Sequence, residues 1–165
     1  MILVSACLLG QKVKYNGESN DHPLLMEYAA RGQFLPICSE CLGQLPIPRP
    51  PMEIQQGTGA DVLAGKARVK NTRQEDFTPA FLQGAQLVLK TVQQQGIRAA
   101  ILKANSPSCG AGWIYDGSFS RTKIPGDGVM AALLRAHGIR LYTEKDVNRS
   151  LLEELLSEDA AQKCS

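Results

Sequence analysis

Histidine is nearly absent from the sequence, which contains only His22 and His137 among 165 residues. A zinc or non-haem iron site built from several imidazoles is therefore disfavoured, and any bound metal should be held by sulfur. The chain has five cysteines. Because this number is odd and we expect no export signal, the cysteines indicate free thiols, or ligands of a metal or cluster, rather than a disulfide framework.

The sequence also lacks a charge excess of one sign and a long hydrophobic run. Eighteen basic and sixteen acidic residues give a formal charge of +2, which is too balanced for an extended nucleic-acid surface but compatible with a small anionic ligand. Residues 1–6 form an apolar run that lacks a basic segment and is far shorter than a membrane span. We therefore expect a cytoplasmic protein with no membrane partner.

Apolar runs alternate with helical patterns along the chain. Short apolar segments at 2–6, 34–37, 97–102 and 139–142 are typical of buried strands, and residues 78–96 show the clearest helical spacing. Strands that alternate with helices predict a parallel sheet with right-handed crossovers. We expect a Rossmann-like, three-layer α/β/α fold with a mainly parallel four-stranded sheet in the order 2-1-3-4. Proline in the second strand favours an edge position.

We expect one domain over residues 1–165, with two irregular parts. The segment at about 41–76 is rich in proline, glycine and polar residues, which predicts an irregular excursion with at most a short outlying strand at 67–69. Residues 157–165, which include Cys164, are predicted to fray. Residues 113–119 are typical of a small hairpin or flap with an Asp-Gly turn.

Three cysteines each follow an apolar strand. Cys7 follows the first strand, Cys38 follows the second, and Cys109 lies in the turn-rich stretch after the third. The carboxyl ends of neighbouring parallel strands share one rim, where open α/β sheets usually bind ligands. A single buried cysteine is most often a small apolar filler, but three at equivalent positions favour ligation. Three thiolates would suit an iron–sulfur cluster with one open iron.

Cys41 leaves two other sites open. With Cys7, Cys38 and Cys109 it could complete a closed four-thiolate zinc site in a protein that binds a partner without catalysis. Alternatively, Cys38 and Cys41 could form a Cys-x-x-Cys redox pair, although we expect no helix to begin at this motif.

Polar residues near these cysteines are candidates for chemistry. Glu40 comes two positions after Cys38, so a bent loop could aim its carboxylate at the same cavity for acid–base work. Ser106 and Ser108 are candidate donors or nucleophiles, and Ser108 is also a candidate for binding the substrate. No histidine lies near them in the sequence to activate either hydroxyl.

Other residues are candidates for binding a planar or anionic ligand. Tyr15 could stack on a planar base. Gly126 and Gly128 precede a predicted helix whose backbone N–H groups could bind a phosphate, although a simple helix cap fits them as well. The basic residues that could pair with an anion are Lys12, Lys14, Arg49 and Lys103.

Six short segments appear in one order over nearly the whole chain. They are SACLLG at 5–10, KYNG at 14–17, PICSE at 36–40, PRPPMEI at 48–54, SPSCG at 106–110 and GDGV at 126–129. Together they resemble the thiouracil desulfurase family, and the combination is far more specific than any one segment. The resemblance implies a [4Fe-4S] cluster held by Cys7, Cys38 and Cys109, with catalytic roles for Glu40 and Ser106.

The same resemblance implies a reaction and a substrate class. Sulfur would be removed from a thiolated pyrimidine, such as 4-thiouracil or 4-thiouridine 5′-monophosphate, without net redox change. The basic residues near Tyr15 and the glycine-rich helix start favour the monophosphate. Two departures from the family pattern matter, because Ser39 stands where proline is usual and Cys41 is an additional thiol.

Overall fold

The computed structural model describes residues 1–163, which form eight strands and six helices. In chain order these are β1 (Ile2–Ser5), α1 (Pro23–Ala29), β2 (Phe34–Ile37), α2 (Ser39–Leu42), β3 (Met52–Gln55), α3 (Gly59–Leu63), β4 (Arg68–Asn71), α4 (Thr78–Gln95), β5 (Ala99–Leu102), β6 (Trp113–Tyr115), β7 (Lys123–Pro125), α5 (Val129–Ala136), β8 (Arg140–Thr143) and α6 (Arg149–Lys163). A 3-10 turn, Ala6–Leu9, follows β1 directly.

The central sheet has four strands in the order β2-β1-β5-β8. All three pairings are parallel, with Ser5 opposite Ile37 and Val4 opposite Ile101. The predicted α/β fold and strand order are therefore confirmed. β2 lies at an edge of the sheet. Pro36 has no backbone N–H to donate, and at an edge there is no second neighbouring strand that would need this donor.

Helices cover both faces of this sheet because its strands are apolar on both sides. In β1, Leu3 packs into one core with α4 and α5, whereas Ile2 and Val4 pack into another with α1 and α6. Alternation of side chains along a strand produces this division. Three layers result, with the sheet between the two groups of helices.

The segment at 41–76 is more regular than the sequence predicted. It contains α2, α3 and an antiparallel pair, β3 with β4. Met52, Ile54 and Val69 are buried, so alternate positions of this pair face the core. Thr58 and Asp61 cap α3 by exchanging hydrogen bonds with each other's backbone. The prediction of an irregular excursion is therefore wrong for these elements, whose short alternating patterns the prolines obscured.

The chain is helical through Lys163, so the prediction that residues 157–163 fray is wrong. Leu155 and Leu156 are buried, and the nearly buried carboxylate of Asp159 accepts hydrogen bonds from the Met1 amino group and from Gln33 Nε2. These contacts between distant parts of the chain hold the helix in place. Cys164 lies outside the described residues.

The hairpin predicted at 113–119 has a longer connection. β6 pairs antiparallel with β7, and residues 116–122 join them. Asp116 N donates to Thr122 O at 2.9 Å, so the Asp-Gly dipeptide starts a seven-residue loop instead of a two-residue turn. Trp113 is largely exposed on this hairpin. Among residues 1–163, every helix falls short of the length and apolarity that a membrane span needs.

Candidate active site

A cavity with a volume of about 500 Å³ opens at the carboxyl ends of β1, β2 and β5. Cys7, Cys38 and Cys109 all line it. Cys7 and Cys38 are partly exposed, and Cys109 is buried. The structure therefore brings together the three cysteines that the strand pattern predicted to meet.

Local geometry fixes the first two cysteines at this rim. Cys7 lies in the 3-10 turn after β1, where its carbonyl accepts a hydrogen bond from Asn20 N at 2.8 Å. Cys38 is the extended N-cap residue of α2. α2 approaches α4 so closely that a Cβ atom at Gly84 would lie 2.0 Å from the Ser39 carbonyl oxygen. Glycine at position 84 is therefore required to set α2, and with it Cys38, at the cavity wall.

Cys109 is held by the loop that leaves β5. Ser106 Oγ accepts hydrogen bonds from the backbone N–H groups of Ser108 and Cys109, at 3.2 and 3.1 Å. Gly110 N donates to the Ser106 carbonyl at 2.8 Å, which closes the turn. A hydroxyl that organises its own loop in this way is typical of serine in turns.

The three cavity cysteines are neutral thiols in the protein without a cluster. Burial raises the pKa of Cys7 and Cys38, and it raises the pKa of Cys109 to about 11. At Cys7 a hydrogen bond with Asn20 and the charge of Lys103 partly oppose this increase. A bound iron centre would replace the three protons and compensate the thiolate charges that burial disfavours.

The arrangement of the thiols distinguishes a site for an iron–sulfur cluster from a site for a single metal ion. Within residues 1–163, no three His, Cys, Asp or Glu side chains are arranged as ligands of one ion. A four-thiolate zinc site requires such convergence, and Cys41, its fourth member, does not line the cavity. A [4Fe-4S] cluster binds each thiolate at a different iron. Thiols that share a cavity without meeting at one point fit the cluster.

The Cys-x-x-Cys motif does begin a helix, contrary to the sequence-based expectation. Cys38 is the N-cap of α2, and Cys41 lies one turn into it. Only Cys38 of the two lines the cavity. Burial raises the pKa of the Cys38 thiol, whereas a reactive Cys-x-x-Cys pair needs a thiol whose pKa is lowered, which disfavours a dithiol redox site.

A buried arginine orients the carboxylate of Glu40. Arg49 Nε donates to Glu40 Oε1 at 3.2 Å, and the Arg49 side chain is only 2% exposed. The same guanidinium donates to the carbonyls of Pro46 at 3.2 Å and Val13 at 3.0 Å. Because both other nitrogens are occupied, the guanidinium is fixed. It also supplies a positive charge to a carboxylate that would stand beside an anionic cluster.

Two serines connect this carboxylate to the cavity. Ser108 Oγ donates to Glu40 Oε2 at 2.9 Å and lies 3.0 Å from Ser106 Oγ. A hydroxyl has one proton, so Ser106 is the donor in the contact between the two serines. The result is a continuous chain of donors from Ser106 through Ser108 to Glu40. Ser106 and Glu40 both line the cavity, whereas Ser108 lies behind its wall.

Comparison with known proteins assigns this architecture to a family. Residues 2–146 match the family model described as 2-thiouracil desulfurase. The chain belongs to the 2-thiouracil desulfurase family. It is 43% identical over 148 residues to the uncharacterized protein YbbK of Bacillus subtilis (strain 168), covering 90% of this chain and 98% of that protein.

A solved structure shares the fold of this desulfurase-family chain. It is that of the [4Fe-4S]-dependent thiouracil desulfidase TudS, with a TM-score of 0.79 and 41% sequence identity. The match covers 97% of each chain. The family assignment predicted from the six segments is thereby confirmed.

Two of the predicted substrate-binding residues line the cavity of this family member. Tyr15 is 44% exposed, so one part of its ring is available to a ligand. Lys103 lines the cavity as well, with its Nζ 3.1 Å from the Ala104 carbonyl and 3.6 Å from Glu144 Oε2. Ser108 was also predicted to bind substrate, but its hydroxyl is buried and bonded to Glu40.

Gly126 and Gly128 pack the start of α5 instead of lining the cavity. Gly128 N donates to Gly110 O at 2.7 Å, and Val129 N donates to Pro107 O at 2.8 Å. A Cβ atom at Gly128 would lie 2.7 Å from the Pro107 carbonyl. The N–H groups of Gly128 and Val129 are thus used to dock the helix on the Ser106–Gly110 loop, and Gly126 N donates to Gly112 O at 3.0 Å. The prediction of substrate binding at these glycines is corrected to a packing role.

Several cavity residues were not predicted. Asn20 and Glu53 line the wall, and Phe119 and Arg121 reach it from the loop between β6 and β7. Arg49 was predicted only as one of four basic residues that could pair with an anionic ligand. The segment PRPPMEI at 48–54 was the available signal for Arg49 and Glu53, because both lie in it. No local pattern marks residues 116–122 as part of the cavity.

Proposed function

We propose that this chain is a [4Fe-4S]-dependent desulfurase that converts a thiolated pyrimidine, of the 4-thiouracil type, to the uracil form and releases sulfide. The observation that carries the proposal is the meeting of three strand-end thiols with Glu40 in one cavity. The similarity to TudS over nearly the full chain supports it. We further propose a cytoplasmic location, because a reducing compartment preserves the free thiols that a cluster needs.

The cluster would be held by Cys7, Cys38 and Cys109. When bound, it supplies an iron without a protein ligand as a Lewis acid for the sulfur of the substrate. Cys41 lies outside the cavity and has no part in this ligation.

Glu40 would manage the protons of the reaction. The overall change replaces C=S by C=O, with water as the source of the oxygen and of both protons of hydrogen sulfide, so no electrons are gained or lost. Glu40 lines the cavity and can take a proton from the attacking water at Oε2. It returns this proton when the carbon–sulfur bond breaks.

Ser106 and Ser108 provide a second path for the same proton. Ser106 faces the cavity, and its hydroxyl points its proton toward Ser108, which points its own toward Glu40. A proton received at Ser106 therefore moves to Glu40 by a shift along two hydrogen bonds. Ser106 acts as a relay that Glu40 activates, which removes the need for a neighbouring histidine.

Arg49 would keep the carboxylate in position for both paths. Its bond to Oε1 leaves Oε2 directed at Ser108. Because the guanidinium is also tied to two backbone carbonyls, Glu40 cannot rotate away without breaking a buried ion pair.

We propose a nucleoside monophosphate as the preferred form of the substrate. Support comes from the cations at the cavity, Lys14, Lys103 and Arg121, and from Tyr15, whose partly exposed ring can stack on a pyrimidine. The start of α5 no longer supports the phosphate, since its donors are occupied. Steady-state comparison of 4-thiouracil, 4-thiouridine and its monophosphate tests this preference. Equal kcat/KM for the three would contradict it.

Anaerobic reconstitution tests the function itself. The protein is expected to turn brown, to bind iron and sulfide, and to convert 4-thiouracil to uracil with release of sulfide. The Glu40→Gln variant should bind the same amount of iron but turn over about 10²–10⁴-fold more slowly, because glutamine cannot take a proton. A colourless protein that retains stoichiometric zinc would overturn the proposal.

A further inference from the structure

The loop at 116–122, which joins β6 and β7, forms part of the cavity wall through Phe119 and Arg121. Both residues have positive φ angles, 57° for Phe119 and 63° for Arg121. Residues with a Cβ atom seldom adopt this conformation, so hydrogen bonds must hold the loop in this shape. Some lie within the loop, where Ser118 N donates to Asp116 Oδ1 at 2.9 Å and Asp116 N donates to Thr122 O at 2.9 Å. Phe119 and Arg121, which line the cavity, thus have backbone conformations that are intrinsically unfavourable.

Glu53 provides the main outside contact. Its Oε1 accepts hydrogen bonds from Gly117 N at 3.0 Å and from Phe119 N at 3.2 Å. Gln55, two residues along the same strand, donates from Nε2 to the Gly117 carbonyl at 3.3 Å. One carboxylate oxygen therefore accepts hydrogen bonds from the N–H groups on both sides of Ser118, in the turn that leads to Phe119.

Glu53 can serve as an anchor because β3 is firmly packed. Met52 and Ile54 point into the core, and β3 pairs with β4 along its whole length. Glu53 consequently points to the opposite side, toward the cavity. The loop lies directly on this strand, since a Cβ atom at Gly117 would be 2.6 Å from the Ile54 carbonyl oxygen.

We propose that Glu53 is a positioning residue that fixes the 116–122 loop, so that Phe119 and Arg121 contact the substrate in the cavity. The substrate class rests on the proposed function. Glu53 acts on binding and not on the chemical step, because its contacts are with loop N–H groups, whereas Glu40 contacts the serines and Arg49.

Three substitutions of Glu53 distinguish an effect of side-chain length from an effect of side-chain charge. Glu53→Ala removes the acceptor, Glu53→Asp keeps the charge but shortens the side chain, and Glu53→Gln keeps the length and an acceptor oxygen without the charge. If the side chain works by holding the loop, the Ala and Asp variants should behave alike and Gln should stay near wild type. Glu154→Gln, on the exposed face of α6, is the control for loss of one negative charge.

The first measurement is limited trypsin digestion of the cluster-loaded protein, because Arg121 is itself a cleavage site within the loop. The Ala and Asp variants should be cut after Arg121 about tenfold faster than wild type, which corresponds to the loss of one or two hydrogen bonds. Iron content and far-ultraviolet circular dichroism should be unchanged. This readout does not need turnover, so it decides the inference even if the chain proves to have no desulfurase activity.

The second measurement is the split between KM and kcat with a thiolated pyrimidine. The Ala and Asp variants should raise KM about tenfold while kcat stays within about twofold. Unchanged cleavage and KM in Glu53→Ala would overturn the inference. The inference would also be overturned if Glu53→Asp behaved like wild type and Glu53→Gln behaved like Glu53→Ala, because the charge of the side chain alone would then explain the effect. A fall in kcat at constant KM would place Glu53 in the chemistry and overturn it as well.

Discussion

Replacement of Arg49 by methionine should destabilise the protein strongly, although the residue forms only one ion pair. The Arg49 side chain is 2% exposed and that of Glu40 is 17% exposed, so removing the guanidinium leaves a largely buried carboxylate without its partner. Breaking a buried pair in this way costs about 3–5 kcal/mol. The carbonyls of Pro46 and Val13 lose their donors too. The loss is a large fraction of the ~5–15 kcal/mol that stabilises a typical domain.

Urea unfolding of the cluster-free protein measures this loss, and an exposed ion pair provides the control. Arg149 pairs with Glu27 at 3.0 Å, but their side chains are 63% and 57% exposed. Arg149→Met should therefore have a much smaller effect than Arg49→Met. In the Glu40→Gln background, where no carboxylate charge is left unpaired, Arg49→Met should cost less than it does alone. Equal effects of Arg49→Met and Arg149→Met would refute the assignment of Arg49 as the buried partner of Glu40.

Three further predictions follow from the cavity. Cluster assembly should require all three strand-end thiols and not Cys41, so Cys41→Ser should bind iron as wild type does. Ser39→Pro should stabilise the protein by about 1 kcal/mol, because the buried Ser39 hydroxyl has no hydrogen-bond partner among residues 1–163. Proline also suits this position, since Ser39 is the first residue of α2 and follows the extended residue Cys38. Thermal unfolding measures the change in stability. Since burial raises the pKa of Cys109 from 9.0 to about 11, the cluster-free protein should lose stability as pH rises from 9 to 11, and Cys109→Ala should lessen the pH dependence. For the prediction on cluster assembly, the variants Cys7→Ser, Cys38→Ser and Cys109→Ser should each lose bound iron.

The meeting of the three cysteines could be predicted because it depends on local patterns and one topological rule. Each strand is a short apolar run, and parallel strands joined by right-handed crossovers end at the same rim. Cys7, Cys38 and Cys109 needed no knowledge of side-chain contacts to be placed there. The same argument succeeded for the strand order, since Pro36 excludes the centre of the sheet.

The partners of Glu40 could not be predicted, because the fold creates their contacts. Ser108 is separated from Glu40 by 68 positions and Arg49 by nine. Neither distance corresponds to a helical or strand period, so no pattern in the sequence joins these residues. The sequence offered Arg49 only as a partner for an anionic ligand, because the burial of its side chain depends on carbonyls from separate loops.

For Gly126 and Gly128, in contrast, a sequence pattern predicted a binding role that the structure corrects to a packing role. A glycine-rich helix start is typical both of phosphate sites and of helices docked on another backbone. The choice between them depends on whether the N–H groups are already occupied, and here the Ser106–Gly110 loop occupies them. Asp159 shows the same dependence at the end of the chain, where a contact with the Met1 amino group stabilises a helix that composition predicted to fray.

Turnover of 4-thiouracil by the cluster-loaded protein, in water enriched in heavy oxygen and without an electron donor, tests the central claim most directly. Mass spectrometry of the product and a sulfide assay are the readouts. Hydrolytic desulfuration predicts uracil with one heavy oxygen at the carbon that carried sulfur, and sulfide in equal amount. No uracil, unlabelled uracil, or a requirement for added reductant would contradict the account.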